Sequence, residues 1–278
     1  MKALLLATSV ILLSAANAFA ARQVIGAEQD HSQAAAGDCE HFYKTTFTSF
    51  GEQIQDQEQR EISLHGVEQI RVTAAQEGGL SIRGWNKPHA RLVVCRYAVA
   101  NSKQHAMRLM SMINVSSTAG EIVARGPQID GTQAWWVNMI LYLPRKANVE
   151  VAAANGGVAI RNMSGRVTAK STSGGISVAH SSGRYKITTE SGGITLDRIR
   201  GTVDAASRDG AIALKVAGTE VPSVEAKTAE EGHIRCTLKT CEGEQMTSNR
   251  NVLRLGEGVP DFRLATAGAS IFIGPVTY

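Results

Sequence analysis

Between residues 149 and 218, hydrophobic and polar residues alternate in short runs that glycines interrupt at a constant interval. These evenly spaced glycines are Gly156, Gly174, Gly192 and Gly210. Aliphatic residues stand two and four positions after each glycine, beginning with Val158 and Ile160 and ending with Ile212 and Leu214. Alternation with a period of two places one face of a strand inward and the other in solvent. The pattern therefore predicts short, half-buried strands separated by turns.

A second set of turns falls between these strands, at Gly165, Gly183 and Gly201. Each repeating unit thus contains two short strands, and it can bury its apolar face only by stacking on its neighbours. Glycine is expected in the turns because it allows positive φ. The polar residues before the first glycine are expected to stack along one edge; they are Asn155, Ser173, Ser191 and Asp209. The fold class predicted is all-β: a β-helix-like β-solenoid of stacked two-strand coils of about 18 residues, with clean repeats over 149–218.

Weaker copies and one helix are predicted outside the clean repeats. The turn and second strand recur at 77–82 and 231–236, and 262–273 forms a looser last copy. Apolar residues at helical spacing behind Ser102, a suitable N-cap, predict one short helix in the N-terminal half. They are Ala106, Leu109, Met110 and Ile113. A hairpin is predicted at residues 119–120, followed by a strand over 135–143 that ends at Pro144.

Residues 1–20 have the features of a secretory signal peptide. Lys2 precedes an uncharged apolar run over 3–16, and Ala18-Phe19-Ala20 predicts cleavage after Ala20. The run is shorter than the ~20 residues that a membrane-spanning helix needs. We therefore expect an exported protein, periplasmic or secreted to the cell surface, with no transmembrane segment after signal removal. Residues 21–38 are expected to be flexible, and 39–278 to form the solenoid domain.

Four cysteines are candidates for disulfides, because their number is even and the predicted compartment is oxidising. Cys236 and Cys241 flank a short turn, and a bridge between them leaves Cys39 to pair with Cys95. Buried free thiols are the alternative. The cysteine at 39 lies in an Asp-Cys-Glu-His cluster (38–41), which lacks the second half of a zinc motif. No metal or cofactor site is predicted.

The repeats, taken together, resemble a bacterial adhesin-like domain family of unknown function, a toast-rack β-solenoid. The resemblance lies in the entry segment 70–82, in the strand and proline of 135–145, and in the Asn/Ser-Gly-Gly turns at 155–157, 173–175 and 191–193. It covers roughly residues 60–278. It implies a suspected role in adhesion and supplies no catalytic residue.

Catalytic chemistry is sought first among the acidic residues, because polysaccharide-cleaving β-helices use paired carboxylates. The outward positions of the clean repeats are Ala159, Ser177, Thr195, Ala213, Arg161, Ala179, Asp197 and Lys215, of which only Asp197 is acidic. His180 and His233 are isolated and are interpreted as surface or turn residues. We therefore predict no catalytic residue. A polysaccharide-active enzyme stays as an alternative if Asp130 or Asp261 approaches the repeats.

Net charge and the two adjacent tryptophans indicate which kind of partner to expect. The formal charge of +4 falls to +3 without Lys2, too little for the concentrated basic face that nucleic acid requires. Trp135 and Trp136 should face opposite sides of their strand, one in the core and the other packed or exposed for binding. We expect a non-enzymatic, adhesin-like envelope protein that binds a cell-surface protein or glycan. A structural scaffold that self-associates through the solenoid ends is a further alternative.

Overall fold

Strands account for most of the structure, a computed structural model that describes residues 39, 51–65, 67–129, 131, 133–218, 222–229, 232–241 and 251–276. The predicted signal peptide and the segment 21–38 lie outside the described residues. The strands are β1 (Glu52–Ile62), β2 (Gln69–Thr73), β3 (Leu80–Trp85), β4 (Ala90–Ala100), β5 (Asn114–Thr118), β6 (Glu121–Arg125), β7 (Ala134–Pro144), β8 (Asn148–Ala153), β9 (Val158–Arg161), β10 (Arg166–Ser171), β11 (Ile176–Thr189), β12 (Ile194–Ser207), β13 (Ile212–Val216), β14 (Val224–Thr228), β15 (Ile234–Cys236), β16 (Val252–Leu255), β17 (Phe262–Thr266) and β18 (Ile271–Pro275). One α-helix, α1 (Lys103–Met112), and a short 3₁₀ helix (Lys239–Cys241) accompany them in this part of the chain.

The clean repeats form the predicted stack of parallel coils. The first strands of successive coils pair side by side in one row, which we call the first-strand row, and the second strands form a second-strand row. In the first-strand row, Tyr185 pairs with Val167 and Val203, its counterparts in the coils on either side. In the row of second strands, Ile194 pairs with Ile176 and Ile212 in the same way. All six side chains are buried in one core cluster. The β-solenoid prediction is confirmed.

At Gly183 and Gly201 the second predicted turn is a bend inside a continuous strand, whereas at Gly165 it separates β9 from β10. Strands β11 and β12 run through it, and β-pairing continues on both sides. In β11 the bend is made at His180 (φ 50°) and Gly183 (φ 116°), and in β12 at Arg198 (φ 53°) and Gly201 (φ 101°). Left-handed backbone conformations are uncommon for residues with a side chain, and they turn the strand here without ending it. β11 and β12 are therefore each one bent strand rather than two separate strands joined by a turn.

The first-turn glycines serve a purpose other than the one expected. Positive φ is not what requires glycine at Gly156, Gly174, Gly192 or Gly210, since none of these four lies in that region. Each instead contacts the neighbouring turn of the stack so closely that a Cβ would overlap its backbone. At Gly192 the overlap is with the carbonyl of Gly174, and the Cβ would also lie 2.8 Å from the nitrogen of Gly175. Close stacking of turns, not left-handed backbone, selects glycine here.

The coils at both ends are interleaved with respect to chain order. Near the N-terminal end, β2 pairs with both β6 and β8, and β3 with both β7 and β9. Near the C-terminal end, β17 lies between β12 and β14, and β18 between β13 and β15. The copy at 262–273 is thus not the last coil, as its position in sequence suggests. It lies between two coils: the one formed by the end of β12 with β13, and the one formed by β14 with β15, which precedes it in the chain.

Helix α1 contributes to the N-terminal end of the core. The Ser102 side chain accepts a hydrogen bond from the His105 N–H, as expected of an N-cap, and Ala106 and Leu109 are buried. The predicted hairpin joins β5 to β6 through Ala119 and Gly120, both at positive φ. The helix and hairpin predictions are confirmed.

Buried hydroxyl groups line the inside of the first turns, a feature absent from the sequence-based expectations. The Thr189 hydroxyl accepts a bond from the Gly192 N–H at 3.0 Å, and the Ser207 hydroxyl accepts one from the Gly210 N–H at 2.8 Å. Ser207 Oγ also donates to the Gly192 carbonyl at 3.2 Å, which ties one coil to the next. The members of this hydroxyl ladder are Ser171, Thr189, Ser207 and Thr266. The first three recur at the same interval as the glycines, so the repeat itself carried the signal.

Candidate binding surface

The four cysteines form two pairs in the structure. Cys39 is joined to Cys95 of β4, with Cα atoms 5.8 Å apart, and Cys236 is joined to Cys241, with Cα atoms 6.1 Å apart. Residues 38, 40 and 41 of the acidic cluster lie outside the described residues. Within the part of the chain that is described, no group of three or more His, Cys, Asp or Glu side chains is placed to hold a metal.

The acidic residues considered for catalysis have structural partners. Asp197 lies 3.3 Å from the guanidinium of Arg198. The Asp261 carboxylate accepts a hydrogen bond from Ser223 at 2.9 Å. Asp130 lies outside the described residues. His180 and His233 are both exposed, as expected, and the ring of His180 contacts Arg198 rather than a carboxylate.

A shallow recess lies where several strands of the first row begin. Its lining residues are Glu68, Gln69, Asn148, Val149, Arg166 and Thr168, and its volume is about 140 Å³. Small-molecule sites usually occupy about 300–1,000 Å³. The recess is therefore too small for a sugar polymer or a cofactor of ordinary size.

The outer face of the first-strand row carries charges of alternating sign. In spatial order its register positions are Glu121, Arg71, Glu150, Thr168, Lys186, Asp204, Arg263, Glu225 and Arg254. Arg254 donates to the Glu225 carboxylate at 2.7 Å, and this bond holds the pKa of Glu225 below its usual value. Opposite charges across adjacent strands stabilise register, while their sum is zero. This line of residues is therefore neutral, although Arg166, Lys170, Arg184 and Lys227 also lie on the same face.

The outer face of the second-strand row differs, because its N-terminal part collects cations and aromatic rings. Arg91 of β4 pairs in register with Tyr142 of β7, which pairs with Arg83 of β3, which pairs with Arg161 of β9. Trp85 and Lys87 follow Arg83 along the chain. We call this set the basic aromatic cluster; its members are Arg83, Trp85, Lys87, Arg91, Tyr142 and Arg161.

Cations and rings alternate in space within the basic aromatic cluster. The guanidinium of Arg91 lies 4.2 Å from the Tyr142 ring centroid and 5.3 Å from that of Trp85. Lys87 Nζ lies 5.1 Å from the Trp85 ring, and the two rings are 5.3 Å apart. Arg83 donates to the Tyr142 hydroxyl at 3.1 Å. These cation–π distances fall within the ~6 Å range over which the ring quadrupole attracts a cation.

The electrostatic balance of the cluster is strongly positive. In the described part of the chain, neither Lys87, Arg91 nor Arg161 forms an ion pair. The neighbouring acid in the register is Glu61 of β1, and its carboxylate lies 3.6 Å from His89 Nε2. The cluster thus brings four cations together, and one of them, the Arg91 guanidinium, stacks on the rings of Trp85 and Tyr142. The arrangement suits an anionic ligand.

The two tryptophans that the sequence singled out lie on opposite faces, as predicted. Trp135 is in the core, where its indole N–H donates to the Pro127 carbonyl at 2.9 Å. Trp136 is half-buried on the outer face and stacks on Tyr97, with ring centroids 5.0 Å apart. Neither belongs to the basic aromatic cluster. Trp85, which does, was missed because Tyr142 is distant in sequence, although Arg83, Trp85, Lys87 and Arg91 lie within nine residues of the chain.

Comparison with known proteins identifies a family match in the repeat region. Residues 144–246 match the family model Toastrack DUF4097, which confirms over that range the resemblance drawn from the repeats. No curated protein matches the chain.

Three solved structures are similar to it. A candidate cell adhesion protein from Clostridium sporogenes shares 13% identity, covers 80% of this chain and 100% of its own, and has a TM-score of 0.44. A candidate adhesin from Parabacteroides distasonis shares 8% identity over 78% of this chain and 97% of its own, with a TM-score of 0.38. A candidate adhesin from Bacteroides fragilis shares 10% identity over 80% of this chain and 97% of its own, with a TM-score of 0.37.

Proposed function

We propose that this chain, whose residues 144–246 match the toastrack family, is an exported, non-enzymatic, adhesin-like envelope protein. It binds a cell-surface protein or glycan through the outer face of its solenoid rather than in a pocket. The observation that carries the proposal is the basic aromatic cluster, which faces outward from strands that are paired on both sides.

Export is supported by the charge pattern of residues 1–20 and by the pairing of all four cysteines. Disulfides persist in oxidising compartments and are rare in the cytosol. No helix in the described residues is long and apolar enough to cross a membrane. On the signal-peptide pattern and the cysteine pairing, we propose that the mature protein, from residue 21 onward, lies in the periplasm or at the cell surface.

The absence of catalysis is supported by the acidic residues themselves. Glycoside hydrolysis needs two carboxyl groups that flank one bond, one of them kept protonated. Asp197 and Asp261 instead interact with Arg198 and Ser223, on different rows of the solenoid. The alternative enzyme would have to draw its acids from elsewhere in the chain.

The test is expression of the full chain in a bacterial host, followed by fractionation and a binding assay. Mass spectrometry of the exported product should show cleavage after Ala20 and no free thiol. The purified product should be retained by cell-envelope material or by a glycan array without releasing reducing ends. Release of reducing ends would replace the binding function with an enzymatic one. Concentration-dependent growth in mass by light scattering, without retention, would favour the self-assembling scaffold.

A further inference from the structure

The geometry points to a ligand class for the basic aromatic cluster: we infer that it binds an acidic polysaccharide laid across the strands, along the axis of the solenoid. The inference rests on the proposed function, which it makes more specific.

The register arranges the cations along a line. Arg91, Tyr142, Arg83 and Arg161 occupy equivalent positions on four consecutive strands, β4, β7, β3 and β9. Neighbouring strands are about 4.8 Å apart, so the line extends over roughly 14 Å. Its direction is perpendicular to the strands. The arginines occupy the first, third and fourth positions of this line, so a ligand that contacts all three must be extended and must carry anionic groups roughly 5 and 10 Å apart.

The cations are held in place before a ligand arrives. The Arg91 guanidinium lies over two rings, 4.2 Å from the Tyr142 centroid and 5.3 Å from the Trp85 centroid. A guanidinium that is stacked on a ring keeps its N–H groups available at the edge, where they match the two oxygens of a carboxylate. Because stacking has already ordered the side chain, binding costs less conformational entropy.

The rings argue against nucleic acid as the ligand. Proteins bind single-stranded nucleic acid by stacking bases on free aromatic faces. Trp85 already has Lys87 and Arg91 over its ring, and Tyr142 has Arg83 and Arg91. The chain's own cations thus occupy the surfaces that bases would need.

The position of the cluster argues against an acidic peptide. Extended peptides are commonly recognised by adding a strand to a sheet edge, where main-chain groups are unpaired. Strands β3 and β7 lie inside the sheet, each paired on both sides. Beside the arginine line, the next register positions on β3 and β9 hold the small residues Ser81 and Ala159, and the Ser81 hydroxyl accepts a hydrogen bond from Arg83 Nε at 3.2 Å. Such a surface offers charge but no backbone pairing, which suits an acidic sugar polymer better than a peptide.

The test measures binding of the exported full-chain product to polygalacturonate, with dextran as the neutral control. The variant Lys87→Gln/Arg161→Gln removes two exposed cations that make no ion pair in the described part of the chain. The contact that it removes there is the exposed one of Lys87 with the Trp85 ring, so its melting temperature should lie close to that of the wild type. The matched control is Lys215→Gln, which lies in the same register line but pairs with Asp197 on the next strand. We expect binding to polygalacturonate alone, weakened at least tenfold in the double variant and less than twofold in the control, and lost as salt is raised.

The other outcomes separate this inference from the proposed function. If the double variant binds polygalacturonate as tightly as the wild type, the site is wrong and the function stands. If envelope material retains the protein but polygalacturonate does not, the ligand class is wrong. If single-stranded DNA or polyglutamate binds as tightly as polygalacturonate, the cluster is a general anion surface and the inference is overturned. If nothing retains the protein, both fail.

Discussion

Replacing one stacking glycine by alanine should destabilise the solenoid in a way that depends on position within the turn. At Gly192 a Cβ would overlap the Gly174 carbonyl and approach the nitrogen of Gly175 to 2.8 Å. Both contacts are with backbone, which cannot rotate away as a side chain can. The Gly192 N–H is also bonded to Thr189 at 3.0 Å, so a shift of the turn would weaken that bond as well.

Two effects of opposite sign determine the size of the loss. Overpacking in a well-packed interior costs about 1–3 kcal/mol. Alanine also restricts the unfolded chain relative to glycine, which stabilises the folded state by about 0.4–1 kcal/mol. For Gly192→Ala the first effect is larger, and we expect the free energy of unfolding to fall by about 1–2 kcal/mol.

The neighbouring glycine of the turn provides the control. A Cβ at Gly157 would meet only the Gly175 carbonyl, at 3.7 Å, an ordinary contact. Alanine already occupies the equivalent position of another coil, at Ala211. Gly157→Ala should therefore be neutral or stabilising. Urea denaturation followed by circular dichroism measures both variants. Equal unfolding free energies for Gly192→Ala and Gly157→Ala would refute the claim that contact between turns selects glycine.

Three further predictions concern buried polar groups and disulfides. Ser207→Ala removes a hydroxyl bonded to two coils and should cost about 1–3 kcal/mol in urea denaturation, whereas a loss below about 0.5 kcal/mol would contradict a structural role for the hydroxyl ladder. Burial raises the pKa of Tyr185 to about 12, so folding favours the neutral phenol, and the stability gained is complete below pH 10 and lost as pH rises through about 12. In alkaline titrations of unfolding free energy, Tyr185→Phe should not show this loss. Loss of the Cys39–Cys95 disulfide, which joins residues 56 positions apart, should lower the free energy of unfolding by about 4 kcal/mol, against about 2 kcal/mol for Cys236–Cys241, whose residues are five apart. Equal urea midpoints for the two Cys→Ser double variants would contradict this dependence on loop length.

The stack of coils could be predicted because its information is local and repeated. Val158, Ile176, Ile194 and Ile212 stand at one register position of four coils, as their constant spacing implies. A one-residue slip would turn every apolar side chain outward, so the hydrophobic pattern allows one register only. The same repetition could have revealed the hydroxyl ladder, because its first three members stand three positions before Gly174, Gly192 and Gly210.

The order of the end coils could not be predicted in this way. By sequence, 231–236 follows the last clean coil and 262–273 comes later. In space, Ile271 pairs with Ile212 on one side and Ile234 on the other. Parallel strands need a long connection, and the connecting residues carry no mark of which strand they reach. The apolar alternation of the two copies is similar, so pattern alone cannot rank them.

By itself, the sequence determined the solenoid, the register of its repeats, the helix with its Ser102 cap and the absence of a catalytic motif in the repeats. Each of these follows from residues that are close in the chain or equally spaced along it. Only the tertiary structure decided the interleaved ends, the stacking role of Gly192 and the basic aromatic cluster. Arg91, Tyr142 and Arg161 are distant from one another in the chain and become neighbours only through β-pairing. Arg83, Trp85, Lys87 and Arg91 are close in the chain, but Tyr142 and Arg161 join them only through register across strands, a long-range property that no local pattern encodes.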